Sequence, residues 1–251
     1  MSALPERLIL LHGAWAGAWV WDGVAERLRA MGWRVEAPDL PGDGAHPIPA
    51  SAVVAGDYLA TLEAAIHAGP GPVALVGHSG GGMLVTAGAT ACPEAVSHAV
   101  WIAGMLIPDG RSFDDIQEEV AGPGRRFGVT PHVRLAPDGR TTTVPPDLAA
   151  RIFFQDAPPE IAARAASRLT PQPVAGSRIP TCAGPGWADL PKLYVLARRD
   201  RSVLPEAQRL MCRGVPRLDV AEIDSDHAPQ LTRPGELARI LDRWLRGGGV
   251  G

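Results

Sequence analysis

Several features that would place the protein in a particular class are missing from its sequence. The 251 residues include only three cysteines, Cys92, Cys182 and Cys212, which lie far apart and form no C-x-x-C pair. This odd and dispersed set predicts neither a disulfide framework nor a structural zinc site. Lys192 is the only lysine in the chain, so arginine supplies almost all of the positive charge.

Long apolar runs and long basic runs are also missing. No uninterrupted apolar stretch reaches the roughly 18 residues that a membrane-spanning helix needs, and residues 1–7 lack the basic start and apolar core of a secretory signal. The net charge of −3 at pH 7 comes without a long basic run, which argues against nucleic-acid binding. We therefore expect a soluble, cytoplasmic protein that binds neither nucleic acid nor membranes.

Short apolar runs alternate with segments of helical periodicity toward both ends of the chain. The apolar runs predict strands, which we place at residues 7–11, 33–37, 73–76, 99–102, 193–196 and 218–223. The periodic segments predict helices, which we place at residues 18–31, 51–67, 206–212 and 236–245. Strands that alternate with helices imply βαβ crossovers, so we predict an α/β fold with a mostly parallel sheet and helices on both faces.

This alternation stops between about residues 105 and 190. The intervening stretch is rich in proline, glycine and arginine, and only residues 159–169 within it have convincing helical periodicity. We interpret residues 1–251 as a single α/β domain. Its core, at about 5–104 and 190–246, is interrupted by an inserted cap at about 105–189.

A five-residue motif that could carry a nucleophile follows the third predicted strand. Gly77-His78-Ser79-Gly80-Gly81 fits the pattern G-x-S-x-G, in which a strand turns sharply into a helix and holds a serine at the apex. Small neighbours keep this strained turn free of clashes, and the following helix directs its free N–H groups toward a developing oxyanion. The alternative is a glycine-rich turn that only packs a helix against a strand.

A serine nucleophile needs a base, and His227 is the best placed of the seven histidines. It follows the last predicted strand and comes after Ser79 in the chain, in the order serine, acid, histidine. Asp200 is the favoured acid because it follows a predicted strand, and α/β sites form at the carboxyl ends of strands. Three other acids remain open as candidates: Asp109, Asp224 and Asp226. The alternative for His227 is a solvated loop residue.

An oxyanion needs two hydrogen-bond donors. The N–H of Gly80 is one candidate, and the N–H of Ala14, which follows the first predicted strand, is the other. We expect small and apolar residues near these motifs to line the substrate pocket, namely Gly13, Trp15, Trp19, Met83 and Met105. This composition favours a small hydrophobic or aromatic substrate, and core packing is the alternative role for the tryptophans.

Taken together, these motifs resemble the α/β-hydrolase superfamily, and within it the plant-type methylesterase and hydroxynitrile lyase family. That family includes salicylate and jasmonate methylesterases and polyneuridine aldehyde esterase. Residues 12–21 are similar to its H-G-A-x-x-G-x-W-x-W opening, and residues 76–83 to its V-G-H-S-x-G-G-M elbow. Asp200 and the Asp226-His227 pair match its acid and histidine segments. The resemblance implies a Ser-His-Asp triad that works without a cofactor or a metal.

Two positions separate the esterases of this family from the lyases. The lyases that this sequence resembles carry threonine at the position of Gly13 and lysine at the position of Ala228. Ala228 cannot stabilise a departing cyanide, and Gly13 leaves the oxyanion hole open, so we predict hydrolysis. The resemblance covers about residues 7–110 and 190–245 and is loose in the cap. The arginine- and glycine-rich composition is more typical of a bacterial than of a plant member.

We therefore predict a cofactor-independent serine hydrolase that cleaves a small-molecule carboxylic ester through an acyl-Ser79 intermediate. Two alternatives remain open. One is a non-hydrolytic enzyme on the same scaffold, such as a lyase, a decarboxylase or a cyclase, and the other is a small-molecule receptor with a vestigial triad. A homodimer is also left open.

Overall fold

Strands and helices alternate along most of the chain in the computed structural model, which describes residues 4–249. The strands are β1 (Arg7–Leu11), β2 (Arg34–Glu36), β3 (Val73–His78), β4 (Val96–Ile102), β5 (Arg134–Leu135), β6 (Thr141–Thr143), β7 (Gln172–Pro173), β8 (Lys192–Ala197) and β9 (Leu218–Ile223). The helices are α1 (Asp22–Ala30), α2 (Ala55–His67), α3 (Gly81–Ala91), α4 (Phe113–Ala121), α5 (Pro146–Phe153), α6 (Pro159–Ser167), α7 (Pro205–Met211), α8 (Pro229–Thr232) and α9 (Pro234–Leu245).

The main sheet contains six strands in the order β2-β1-β3-β4-β8-β9. All of its neighbouring strands pair in parallel. Every residue of β1, β3 and β8 is buried, which explains why their sequences are nearly continuous apolar runs. The predicted α/β fold, with its mostly parallel sheet and helices on both faces, is confirmed.

Each face of the sheet carries its own hydrophobic core, because successive residues of a strand point to opposite faces. In β1, Leu8 and Leu10 pack with α1 and α9 on one face, whereas Ile9 and Leu11 pack with α2, α3 and α7 on the other. The two helical layers hold the sheet between them, and the loops that follow its strands all emerge at one edge. No helix among residues 4–249 is long and apolar enough to span a membrane.

The stretch between β4 and β8 contains more regular structure than the sequence predicts. It holds α4, α5 and α6 together with a small antiparallel sheet in the order β5-β6-β7, whereas the sequence predicts only the helix at 159–169. A capping box begins α4, in which the Ser112 hydroxyl accepts the N–H of Asp115 and the Asp115 carboxylate accepts the N–H of Ser112. This S-x-x-D pattern is a helix signal that the sequence does carry.

Two predicted helices begin later than their apolar periodicity suggests. The segments predicted at 18–31 and 51–67 each start with a 3₁₀ turn, at Ala18–Trp21 and Ala50–Ala52, before the α-helix follows. A 3₁₀ turn spaces its side chains almost like an α-helix, so periodicity alone cannot separate the two.

Candidate active site

Ser79 occupies the turn between β3 and α3 in a backbone conformation that serine rarely adopts. Its φ is +50°, in the left-handed region where a side chain is strained. Its N–H donates to the Ile102 carbonyl (3.1 Å), and its carbonyl accepts the N–H groups of Gly82 (3.0 Å) and Met105 (2.9 Å). These main-chain bonds hold the serine at the apex of the turn.

Two glycines make the sharp turn possible. A Cβ atom on Gly77 would lie 2.5 Å from the Gly81 carbonyl oxygen and 2.6 Å from Cγ2 of Val85. A Cβ atom on Gly81 would lie 2.6 Å from the carbonyl oxygens of both Leu11 and His12. Only glycine fits at these two positions, because the strand, the helix and the loop after β1 meet there.

His227 and Asp200 form a buried pair at the carboxyl ends of β9 and β8. His227 Nδ1 lies 2.7 Å from Asp200 Oδ2, and both side chains are almost fully buried. Oδ1 of Asp200 also accepts the N–H groups of Ser202 (2.7 Å) and Val203 (3.0 Å), while Gln208 donates to Oδ2 (3.1 Å). These donors orient the carboxylate, and the carboxylate in turn orients the imidazole ring.

The other three candidate acids have different partners. Asp226 accepts the N–H groups of Asp156 and Ala228 and the hydroxyl of Thr232. Asp224 forms ion pairs with Arg198 and Arg199 at the surface. Asp109 accepts the N–H of Ala183. Among the four, Asp200 is the one that contacts the ring of His227.

Ser79 and His227 line the same small cavity, which has a volume of about 20 Å³. No hydrogen bond joins the Ser79 hydroxyl to another side chain or main-chain group among residues 4–249. Catalytic contacts of this kind often tighten only when a substrate is bound. Phe153 and Phe154 of the inserted stretch form part of the wall of this small cavity.

The main-chain nitrogen of Ala14 lies close to Gly80, the residue that follows Ser79. A Cβ atom on Gly80 would be 3.6 Å from the Ala14 nitrogen. Neither the N–H of Ala14 nor that of Gly80 donates a hydrogen bond to any group in the described part of the chain. Gly80 is also the N-cap of α3, where free N–H groups and the helix dipole favour negative charge.

Two buried histidines hold the surrounding loops together. Nε2–H of His78 donates to the His227 carbonyl (2.7 Å). This bond connects the turn at Ser79 to the loop that carries His227. Nε2 of His12 accepts the N–H of Leu40 (3.0 Å). Burial lowers the pKa of His12 to about 4 and that of His78 well below its usual value, so both rings are neutral near pH 7.

Residues between β4 and β8, the inserted stretch, form hydrogen bonds with Trp15 and so hold the loop that carries Ala14 in position. Trp15 has a φ of +62°; its N–H donates to Oε1 of Gln172 (2.8 Å), and its carbonyl accepts the N–H of Thr170 (2.8 Å). Its indole N–H reaches the Thr142 carbonyl (3.2 Å). The sequence offers no signal for these contacts, because the three polar partners belong to no recognisable motif.

A larger cavity, of about 510 Å³, adjoins the small one and shares Ala14 and Trp15 with it. Four of the expected pocket residues line this large cavity, namely Gly13, Trp15, Met83 and Met105. Trp19 lines neither cavity, and its ring instead lies 4.3 Å from the guanidinium carbon of Arg168.

Within residues 4–249, no three His, Cys, Asp or Glu side chains are grouped so as to hold a metal ion.

The fold and the arrangement of Ser79, His227 and Asp200 indicate a class of protein, and a comparison with known protein families identifies the same class. A sequence model described as the alpha/beta hydrolase family matches residues 8–240. The chain belongs to this family.

Individual proteins are also similar to this chain over almost its whole length. The chain is 31% identical to Esterase PIR7B of Oryza sativa subsp. japonica, with 96% of both proteins covered, and 28% identical to Methyl jasmonate esterase 1 of Vitis vinifera, with 96% of this chain and 97% of the relative covered. The crystal structure of a pyrethroid hydrolase from Sphingobium faniae JZ-2 superposes with a TM-score of 0.84 at 24% identity, covering 96% of this chain and 97% of the other. The resemblance to the plant esterases and methylesterases is confirmed, and these relatives support an enzyme of the esterase type.

We expect Gly77→Ala to destabilise the protein, because the new methyl group would collide with the Gly81 carbonyl and with Val85. The free energy of unfolding should fall by about 1–3 kcal/mol, as measured by urea denaturation. Gly56→Ala in α2 is the matched control, since a Cβ atom there meets nothing within 4 Å in the described part of the chain and stability should change by less than about 1 kcal/mol. Equal stabilities of the two variants would contradict the close packing at the turn.

Proposed function

We propose that the protein hydrolyses a small carboxylic ester through nucleophilic attack by Ser79. The observation that carries this proposal is the buried contact of 2.7 Å between His227 and Asp200, beside a serine that shares the small cavity with the same imidazole ring. When Nδ1–H donates to the carboxylate, Nε2 of His227 holds the lone pair that a general base needs. The esterases among the relatives support the same class of reaction.

In the acylation step, Nε2 of His227 takes the hydroxyl proton of Ser79 while Oγ attacks the ester carbonyl carbon. Asp200 stabilises the imidazolium that forms. The carbonyl oxygen becomes an oxyanion and accepts hydrogen bonds from the N–H groups of Ala14 and Gly80. When the tetrahedral intermediate collapses, the C–O bond to the alcohol breaks and His227 gives its proton to the leaving alcohol. The acyl group remains on Ser79.

Deacylation repeats these steps with water as the nucleophile. The small cavity is large enough for one water molecule, and its wall includes the ring of His227. His227 takes a proton from this water as the water oxygen attacks the acyl carbon. Collapse of the second tetrahedral intermediate breaks the bond to Oγ, which regains a proton from His227. The carboxylic acid product then leaves.

The large cavity supports a mainly hydrophobic substrate. Its volume of about 510 Å³ suits a small organic molecule. Apolar side chains form much of its wall, including those of Met83, Leu84, Met105, Ile107 and Phe113. Because the cavity adjoins both Ala14 and Gly80, an ester whose carbonyl oxygen binds these N–H groups can extend one of its substituents into it.

Hydrolysis is favoured over cyanide elimination by the residue that follows His227. Ala228 is buried and lines the small cavity, so it offers no positive charge to a departing anion. The only lysine, Lys192, begins β8 and donates its ammonium protons to main-chain carbonyls, which are those of Trp187, Leu190 and Pro216. Neither residue can therefore act as the lysine of the lyases does.

We expect Ser79→Ala and His227→Ala each to lower kcat for p-nitrophenyl acetate by about 10³-fold or more, because each removes a partner of one proton-transfer unit. Asp200→Asn should lower kcat by a similar factor, since the amide no longer fixes the ring tautomer. The exposed residues Ser167 and His132 provide matched controls as alanine variants. Near-normal turnover by Ser79→Ala would refute the acyl-enzyme, and tight ligand binding without turnover in the unaltered protein would favour a receptor.

We expect Gln172→Ala to lower kcat about tenfold with little change in KM, because the Trp15 N–H loses its acceptor and the adjoining Ala14 N–H is no longer held in position. Gln172→Glu keeps an acceptor oxygen and should recover most of kcat. Steady-state kinetics with p-nitrophenyl acetate measure both constants, and Gln155→Ala is the control for loss of a glutamine from the same stretch. A raised KM with unchanged kcat would show that Gln172 acts on substrate binding alone.

A further inference from the structure

A carboxyl group lines the wall of the large cavity without a full set of partners. The side chain of Asp43 is buried, with 2% of the residue exposed, and lines that cavity. Its Oδ1 accepts the hydroxyl proton of Thr170 (3.2 Å). Its Oδ2 is buried and has no hydrogen-bond partner among residues 4–249.

A second polar group shares this part of the cavity. The Tyr58 residue is 2% exposed, and its hydroxyl oxygen accepts a hydrogen bond from Nε2 of Gln172 (2.9 Å). This bond leaves the hydroxyl proton of Tyr58 free to donate. Thr170 and Gln172 stand two residues apart in one extended segment, so this segment brings Asp43 and Tyr58 to the same region of the cavity.

The charge state of Asp43 follows from its surroundings. The pKa of its carboxyl group is raised to about 8, chiefly by burial; the hydrogen bond from Thr170 opposes this increase and the nearby Asp39 carboxylate adds to it. At neutral pH the group is therefore mainly the uncharged acid. Because Oδ1 already accepts a hydrogen bond, the unpartnered Oδ2 is the oxygen best placed to carry the proton and to donate it.

An unpaired polar group is costly in a buried site, typically by more than a satisfied one contributes. A ligand that pairs with Oδ2 and with the Tyr58 hydroxyl removes this cost. We propose that Asp43 and Tyr58 form a subsite that binds a neutral oxygen acceptor, a ketone or hydroxyl oxygen, on the part of the ester substrate remote from the scissile bond. This inference rests on the proposed esterase function for the identity of the bound molecule.

The chemistry of the subsite distinguishes a neutral acceptor from a charged group. Two O–H donors that face one cavity match the two lone pairs of a carbonyl or hydroxyl oxygen. A carboxylate would have to lose its hydration inside a largely apolar cavity and beside the charged Asp39. An ammonium group needs an ionised partner, and burial favours the uncharged form of Asp43. The expected substrate is therefore an ester that is apolar along its length and carries one neutral oxygen function.

Matched pairs of esters test this subsite. One series consists of p-nitrophenyl esters of straight-chain acids with a ketone moved one carbon at a time, and the other of acetates of the corresponding oxo-alcohols. Each is compared with the unsubstituted ester of equal length. At one ketone position the unaltered protein should prefer the oxo ester by about tenfold in kcat/KM, because the ketone satisfies two buried donors.

Substitutions then assign the preference to the two residues. Asp43→Leu and Tyr58→Phe should each reduce the ratio toward one, whereas Asp43→Asn, whose amide can still donate, should keep most of it. Asp138→Asn changes an exposed aspartate and should leave the ratio unchanged. Because the ratio is taken within each variant, a general loss of folded enzyme does not affect it. A preference that survives Asp43→Leu, or no preference at any position, would overturn the subsite.

Binding to Ser79→Ala, measured by calorimetry with the same pairs of esters, separates this inference from the proposed function. If the unaltered protein hydrolyses no ester but Ser79→Ala still binds an oxo ester about tenfold more tightly, the subsite stands and the esterase proposal fails. If hydrolysis depends on Ser79 but neither rate nor binding distinguishes the pairs, the subsite fails alone. Stronger binding of an amino-substituted ester than of the oxo ester would overturn the proposal, because it would show that the subsite binds a cation and not a neutral acceptor.

The protonation of Asp43 has a separate consequence for stability. Its pKa is raised from 3.8 to about 8 on folding, so the folded state binds more protons than the unfolded state between these values. This group therefore makes the protein less stable as the pH rises from about 4 to about 8. Relative to the unaltered protein, Asp43→Asn should gain stability progressively across this range, as measured by urea denaturation at several pH values.

The other ionisable groups near this carboxyl are present in both proteins, so the difference in stability reports the titration of Asp43 and its coupling to these groups. Asp39 and Tyr58 interact with this carboxyl, and His12, Asp114 and Arg111, which pairs with Glu119, also line the large cavity. A difference in stability that stays constant from pH 4 to 8 would show that Asp43 has no raised pKa. It would also remove the argument for a donating carboxyl.

Discussion

The contact between the backbones of Gly77 and Gly81 is the constraint on which the rest of the site depends. It allows β3 to turn at once into α3, and this turn forces Ser79 into a left-handed conformation at the apex. The same turn leaves the N–H of Gly80, at the start of a helix, without an acceptor among residues 4–249. One steric feature thus positions the proposed nucleophile and one of its proposed oxyanion donors.

Parallel pairing assembles the remaining residues around that turn. Ala14, Ser79, Asp200 and His227 follow β1, β3, β8 and β9, respectively, and the carboxyl ends of these strands lie at one edge of the sheet. Residues that are distant in the chain are therefore neighbours in space. Two hydrophobic cores, one on each face of the sheet, hold the strands and therefore this arrangement in place.

The inserted stretch contributes more than a cover for the site. Gln172 and Thr170 bind the backbone of Trp15, next to the proposed oxyanion donor, and the same segment contacts Tyr58 and Asp43 in the large cavity. Phe153 stacks against Trp15 and lies beside His227. A change in this segment would therefore affect the proposed subsite and the proposed oxyanion hole together, which links the proposed specificity to the proposed catalysis.

The sequence by itself determined the features whose physical causes act within a few residues. Buried strands appear as apolar runs, and the turn at Ser79 appears as a pattern of glycines because only glycine tolerates such close backbone contact. Only the tertiary structure decided which of four aspartates pairs with His227, that Trp19 lies outside the cavities, and that Gln172, Asp43 and Tyr58 face the site. Their surroundings come from chain segments far away in sequence, and a polar residue in a proline-rich loop has the same local pattern whether it meets solvent or a buried cavity.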